Sequence, residues 1–422
     1  MGKEKYAYVT YRNLYLFAEL IIGIKEIVVY NTNGAASFQP SIGRLLMAAI
    51  LIVHCFTICL MIPLLKKAKA IRITYNMMPR YKFTFHNKRI HWFMFFLFIV
   101  EIIFTLRSGN ARLFATVNSS ISFLFNLFRP AVFMPIYYVA ARDLKKPLYW
   151  INILLYMVYQ VICGWSGFIL TVFFLELFLY LKNRKINKAV LLMCQLNWLF
   201  VVCLIFAGAF VYSYAYSMKM SVRMGYGFSQ LEFIDALTKL VSRLTNYSDS
   251  VVAFQNHSRI AELYREQGIW AAEVLSIFKS VLPRFIMPNK EFRALTNIVW
   301  QSIWPDISNA TGTGYNSLIY FGNILEADFG CFILSILTAL ILFICTKKFL
   351  YAFDSGNGDM DIVFFLYAAQ ICTGTGMTNI AGYFPVIYMV PFMILVGVIK
   401  IRNVHVLPVR SGISGIYVEG ST

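Results

Sequence analysis

Charge is scarce in this 422-residue chain: only 14% of its residues are Asp, Glu, Lys or Arg, against about a quarter in soluble domains. With 59% hydrophobic and 17% aromatic residues and a mean hydropathy of +0.65, that scarcity excludes an ordinary water-soluble enzyme. Paired cysteines are also missing. The eight cysteines fall nearly all in apolar runs, none lies between Cys203 and Cys331, and there is no CxxC pair. A thiol in such a run behaves as a small hydrophobe, which excludes a disulfide framework or zinc site and leaves no metal expected. No Walker loop, GxSxG, HExxH or strand-linked GxGxxG occurs, so nucleotide-dependent, serine-hydrolase and zinc-protease chemistries lose their usual signatures, and no cofactor is expected. No internal repeat or low-complexity tract is visible. The first residues, MGKEKYAYVTYRN, lack the pattern of a secretory signal, so insertion is expected to rely on the spans themselves.

What is present is long apolar runs separated by basic clusters. Ten stretches suit transmembrane helices of roughly 20 residues, at about 13–31, 44–65, 91–107, 118–140, 148–163, 166–182, 189–213, 327–346, 361–377 and 382–400. Glu19, Lys25 and Glu26 interrupt the first, and CGWSG marks a tight turn between the fifth and sixth. The net charge of +18 is then a statement about topology, not nucleic acid, since Lys and Arg accumulate in cytoplasmic loops. KKAKAIRITYNMMPRYKFTFHNKR, ARDLKKP, KNRKINK, TKKF and IKIRNVHVLPVR all follow even-numbered spans. Ten crossings with both termini cytoplasmic satisfy every cluster. The expected fold is an all-α polytopic membrane protein. Residues 1–218 hold seven spans, 219–326 form one large outer loop, 327–400 hold three spans, and 401–422 form a cytoplasmic tail.

The outer loop carries ten Lys/Arg against nine acids. Its sequence predicts helices: SQLE at Ser229–Glu232 reads as a capping box, followed by Ile234, Leu237, Val241 and Leu244 at helical spacing. A second amphipathic helix is predicted over about Ser258–Val281, ended by Pro283. The proline-bracketed stretch VLPRFIMPNKEF follows it. Two glycine motifs, ATGTGYN (Ala310–Asn316) and CTGTGMTN (Cys372–Asn379), join no strand to a helix and read as turns at the outer surface.

Positive charge outside runs against the orientation rule, so Arg243, Arg259, Arg284, Lys290 and Arg293 stand out as candidate phosphate ligands. The alternative is a solvated face paired with the loop's acids, which suits Arg265 and Lys279. Arg129, within the fourth span, either pairs with Glu101 or Glu176 or lines a substrate cavity. For proton transfer, His257 is the one histidine in the loop, and a neutral imidazole takes protons near pH 7. Glu326 and Asp328 are alternative bases. Asn246, Asn256 and Asn309 begin Asn-X-Ser/Thr triplets, which carry meaning only in a eukaryotic secretory membrane.

RLTNYSD, then VLPRFIMPNK about forty residues on, then GYNSLIYFGNILEADFG running into a span, resemble the main periplasmic loop of bacterial O-antigen polymerases of the Wzy type. The likeness spans some ninety residues by motif and the chain by topology. One departure is the extra acid, Asp328, in ILEADFG. The resemblance implies an inner-membrane glycosyltransferase with a GT-C-like fold, working without nucleotide sugar or metal. It would join undecaprenyl-diphosphate-linked repeat units on the periplasmic face. Arg243, Arg284 and Lys290 fall on the motif positions that would bind diphosphate; Tyr315 and Asn316 lie in the third motif as candidate glycan contacts. Membrane lipid, a chain-length regulator and a flippase would be the partners. An O-antigen ligase shares topology and donor; a lipid-linked oligosaccharide flippase and an insect-type chemoreceptor are the non-enzymatic alternatives.

Overall fold

In the computed structural model the described residues are 3–33, 37–70, 81–108, 128–163, 167–183, 187–224, 228–279, 282, 287, 292–302, 314–354, 357–374, 376–377 and 384–403. Helices dominate. The described part of the chain opens with α1 (Lys5–Val29), α2 (Arg44–Ala70), α3 (Arg89–Ser108), α4 (Pro130–Ala140), α5 (Pro147–Ile162), α6 (Phe168–Asn183), α7 (Lys188–Gln195) and α8 (Asn197–Met224). The segment treated above as a loop contains α9 (Phe233–Arg243), α10 (Tyr247–Gln255), α11 (His257–Glu266), α12 (Ala272–Lys279) and α13 (Leu295–Gln301). After it come α14 (Ser317–Ala327), α15 (Phe329–Ala352), α16 (Asp361–Thr373) and α17 (Phe384–Leu395). Among the described residues four stretches are long and apolar enough to cross a bilayer, Arg44–Pro63, Arg89–Arg107, Asn197–Met218 and Phe329–Ala352, which marks a membrane protein. The helices Pro130–Ala140, Pro147–Ile162 and Asp361–Ile371 are apolar but shorter.

Local sequence accounts for several boundaries. Pro130 and Pro147 open α4 and α5, where the missing N–H costs no helix bond. Asp328 caps α15, accepting from Cys331 N at 2.6 Å, and Asn316 caps α14, accepting from Leu318 N at 2.9 Å.

One end of the bundle collects short strands and ion pairs. β3 (Tyr81–Phe85) pairs antiparallel with β4 (Ile399–Asn403), Phe83 opposite Ile401. His86 N donates to Val398 O at 2.8 Å, Lys146 Nζ to Asn87 O at 3.4 Å, and Lys182 Nζ meets Asp359 at 2.8 Å. Phe83 and Phe85 lie against Phe353. Residues at or beyond the ends of the second, fourth, sixth, eighth and tenth predicted spans thus share this end. At the other end the hairpin β1 (Thr32–Asn33) and β2 (Ser37–Phe38) lies near α10, where Ser41 N donates to Gln255 Oε1 at 3.0 Å.

Four expectations are corrected. The helix expected over Ser258–Val281 is two, α11 and α12, because Gly268 and Ala271 adopt positive φ (63° and 59°) between them. Ser229 makes no capping box: α9 starts at Phe233 with Glu232 at its N-cap and no side-chain cap bond, and Leu231 N is held by Ser217 Oγ at 3.0 Å. Arg129 stands not within a helix but extended before α4 (φ −64°, ψ 106°). The last predicted span becomes α17 followed by β4. CGWSG's centre, Pro283, Asn309 and residues 404–422 lie outside the described residues.

The β3–β4 register predicts that Phe83→Cys with Ile401→Cys forms a disulfide, since directly opposed residues bring their Cβ atoms within about 5 Å. A mobility shift on non-reducing gels should appear for this pair and not for Phe83→Cys with Leu45→Cys.

Candidate functional site

Two of the predicted acid–base residues meet. His257 opens α11 and Glu326 lies near the end of α14; the two helices cross over a core of Ile260, Ala261, Tyr264, Tyr320 and Ile324. His257 Nδ1 lies 2.6 Å from Glu326 Oε2, and Ser258 Oγ donates to Glu326 Oε1 at 3.1 Å. Both partners stay open to solvent, at 47% and 37% exposure. A carboxylate on Nδ1 fixes the tautomer with the proton there, leaving Nε2 as the basic nitrogen of the ring. This arrangement can accept a proton from a hydroxyl and stabilise the imidazolium that results.

The remaining predicted site residues divide. Arg243 ends α9 exposed to solvent. Arg259 is engaged by its own helix, 2.6 Å from Glu262 and 3.6 Å from Glu266. Arg293 is partly buried, its guanidinium donating to Gln301 Oε1 at 2.7 Å. Asp328 is spent on the α15 cap. Tyr315 is fully buried, its hydroxyl accepting from Asn323 Nδ2 at 3.3 Å. Asn316 is buried between Thr57 and the start of α14. Neither offers a free polar group to a glycan. Arg129 hydrogen-bonds Tyr159 and lies in the field of Glu101, while Glu176 takes Arg142 at 2.8 Å. Arg284 and Lys290 lie outside the described residues.

A second centre lies inside the helix bundle. Glu19 and Glu26 sit seven residues apart on one face of α1, 1% and 0% exposed. Thr245 Oγ1 donates to Glu19 Oε2 at 2.7 Å, Asn246 N to Glu19 Oε1 at 3.3 Å, and Ser248 Oγ to Glu26 Oε1 at 2.6 Å. His54 of α2, 2% exposed, places Nδ1 3.3 Å from Glu19 Oε1. His54 is eleventh of the twenty residues in the apolar stretch Arg44–Pro63, so the α9–α10 turn reaches the middle of that stretch. Two half-length helices end beside it. α16 has 13 residues and α14 has 11, roughly 20 and 16 Å against the 30 Å hydrocarbon core. Asn246 Nδ2 donates to Thr373 O at the end of α16. A Cβ on Gly374 would stand 2.5 Å from Asn246 Nδ2, and one on Gly314 would stand 3.2 Å from Gly374 backbone. Gly314 and Gly374, one from each glycine motif, thus approach each other closely at half-buried positions, which leaves little room for a side chain.

Sequence reasoning missed this centre, although His54 within an apolar run and two acids at helical spacing were visible signals. It also missed Glu273, counted among the loop's acids. Glu273 is wholly buried, accepting from Tyr320 Oη at 2.6 Å and from Leu295 N. Burial pushes its carboxyl up to about 7, against the lowering effect of those two hydrogen bonds.

No protein-family model, curated protein or solved structure matched the chain.

Two predictions follow from these contacts. Gly374→Ala should lower stability by about 1–3 kcal/mol, because the new methyl must displace Asn246 from Thr373; thermal unfolding in detergent measures it. For Glu273, the folded protein binds more protons than the unfolded chain between the ordinary 4.5 and about 7. Stability should therefore fall as pH rises through that window, by about 3 kcal/mol in total. Glu273→Gln should flatten that part of the unfolding curve.

Proposed function

We propose that the chain is a membrane glycosyltransferase joining undecaprenyl-diphosphate-linked oligosaccharide repeat units on the periplasmic face of a bacterial inner membrane. It would cross that membrane ten times with both termini cytoplasmic. The observation that carries the reading is the solvent-open His257–Glu326 pair, contributed by two segments of the periplasmic loop. In this reading His257 takes the proton from the acceptor sugar's hydroxyl as the glycosidic bond forms. The bond to the donor's diphosphate breaks, and the electron pair leaves with that diphosphate. Fixed positive charge lowers the barrier to such a departure, a role for Arg243 together with Arg284 and Lys290. The sequence likeness to O-antigen polymerases supports the same assignment of those three. Arg259, neutralised by two glutamates, contributes little.

A ligase would use the same donor and differ only in its acceptor, lipid A-core. One observation favours a different class. Half-length helices meeting at a polar centre midway along a span are the usual architecture of a transporter's binding site. A lipid-linked oligosaccharide flippase is therefore the second reading.

The purified protein, given only undecaprenyl-diphosphate-linked repeat units, should produce a ladder of lengthened chains. His257→Ala and Glu326→Gln should each slow lengthening by about a hundredfold or more, while Arg259→Ala leaves it near wild type. Lipid-linked units that cross a reconstituted bilayer without lengthening would replace the polymerase with the flippase.

A further inference from the structure

The turn between α11 and α12 carries a bulky side chain away from the core. Gly268 and Ala271 both take positive φ, and Ile269 and Trp270 stand between them. An alanine in the left-handed region is strained, so the turn holds this shape against a local preference. It leaves the indole of Trp270 65% exposed, although tryptophan is well covered on average. The first turn of α15 lies beside it: a Cβ on Gly330 would stand 3.7 Å from Trp270 Nε1. Phe329, the neighbour of that glycine, is 67% exposed.

The depth of these aromatics follows from α15, one of the stretches able to cross a bilayer. Lys347 is its first charged residue, eighteen positions after Phe329, roughly 27 Å at the helical rise. The hydrocarbon core is about 30 Å thick. A bilayer that leaves Lys347 at one surface therefore brings the start of α15 to the other. Phe329, Ile333, Leu337, Leu340 and Ile344 are all exposed and recur at helical spacing, an uncovered apolar face along the crossing. On a membrane-crossing helix such a face has lipid for its neighbour. Gly330 falls on the same face by the helical repeat, so Trp270 continues it at the end where the helix emerges.

We propose that Ile269, Trp270 and Phe329 form a membrane-surface anchor, seating the α11–α12 turn in the lipid leaflet at the start of α15. An indole suits that depth, with an apolar body for the acyl chains and an N–H for the wet headgroup layer. Arg265, in the last turn of α11, supplies a cation beside the headgroups. It is exposed, and the two acids that precede and follow it on its own helix, Glu262 and Glu266, are taken by Arg259. A guanidinium left over in this way fits a lipid phosphate. One consequence rests on the glycosyltransferase reading above. Glu326 precedes Phe329 by three residues, so its backbone stands within roughly 11 Å of the anchor. The His257–Glu326 pair is thereby held at headgroup level, where a lipid-borne diphosphate lies.

Fluorescence of the full-length protein in phosphatidylcholine nanodiscs tests the anchor. The chain has seven tryptophans, so the emission of Trp270 is read as the difference between wild type and Trp270→Phe. Phosphatidylcholine brominated near the carbonyl end of its acyl chains should quench that difference about twofold. Bromination near the methyl end should quench it less, and aqueous iodide should leave it nearly unchanged. Quenching by iodide with none from brominated lipid overturns the proposal, because the turn then lies in water. A difference spectrum that neither quencher alters also overturns it, since protein then covers the indole. Phe329→Trp adds a reporter at the second position and should behave as Trp270 does. Iodide quenching there overturns the proposal even if Trp270→Phe does not fold. Neither lengthening nor transport is measured, so the polymerase and flippase readings both survive failure of the anchor. A lipid-quenched Trp270 in a protein that lengthens nothing supports the anchor and removes only its consequence for the acid–base pair.

Discussion

The carboxylate of Glu19 is the contact on which the rest of the arrangement depends. An acid buried at 1% exposure inside an apolar bundle is expensive unless its charge is spent on hydrogen bonds. His54 Nδ1 stands 3.3 Å from it, and the hydrogen bonds come from Thr245 and Asn246, more than two hundred residues along the chain. The α9–α10 turn is therefore drawn inward to satisfy a charge. Once it is there, the Asn246 amide donates to Thr373 O at the end of α16. Gly374 and Gly314 follow as a packing consequence, because side chains at either position would collide with the neighbours already fixed.

That inward draw changes the meaning of the large segment between α8 and α15. A loop lying on the membrane surface would float on its own core, and one such core exists around Tyr264, Tyr320 and Ile324. Yet Tyr247 and Val251 belong to a separate cluster with Met47, Ile50 and Leu51 of α2. The segment is thus stitched in two places, by polar bonds at the centre of the bundle and by an apolar seam nearer its end. α10 bridges them and delivers His257 at its far end to the solvent-open carboxylate of Glu326. The exposed acid–base pair is positioned by the buried one.

The sequence disclosed the class of protein because apolar runs are read one residue at a time and need no partner. The basic segments were legible for the same reason, and two of them supply contacts at the end that holds β3 and β4, where Lys146 meets Asn87 and Lys182 meets Asp359. His257 and Glu326 were each identified by residue type, but nothing in the sequence said that they touch, since 69 positions separate them. Asp328 shows the converse limit: a carboxylate before an apolar run suits a base or a helix cap equally well, and the backbone N–H of Cys331 decides for the cap. Tyr315 and Asn316 were drawn in by their motif, whereas burial makes them structural.

Glu19 itself is the most instructive miss. In a linear reading it counted as an interruption of the first span, a defect in a hydrophobic pattern. A charge inside a span is instead a demand for donors, and the demand must be met by something polar that reaches the same depth. RLTNYSD, rich in short polar side chains and followed by a helix, was the segment able to meet it, and it stood out in the sequence for another reason, its arginine. The depth at which that arginine lies is consequently set by Thr245 and Asn246, two residues with no charge. Arg243, two residues before Thr245 at the exposed end of α9, is thereby placed beside the bundle.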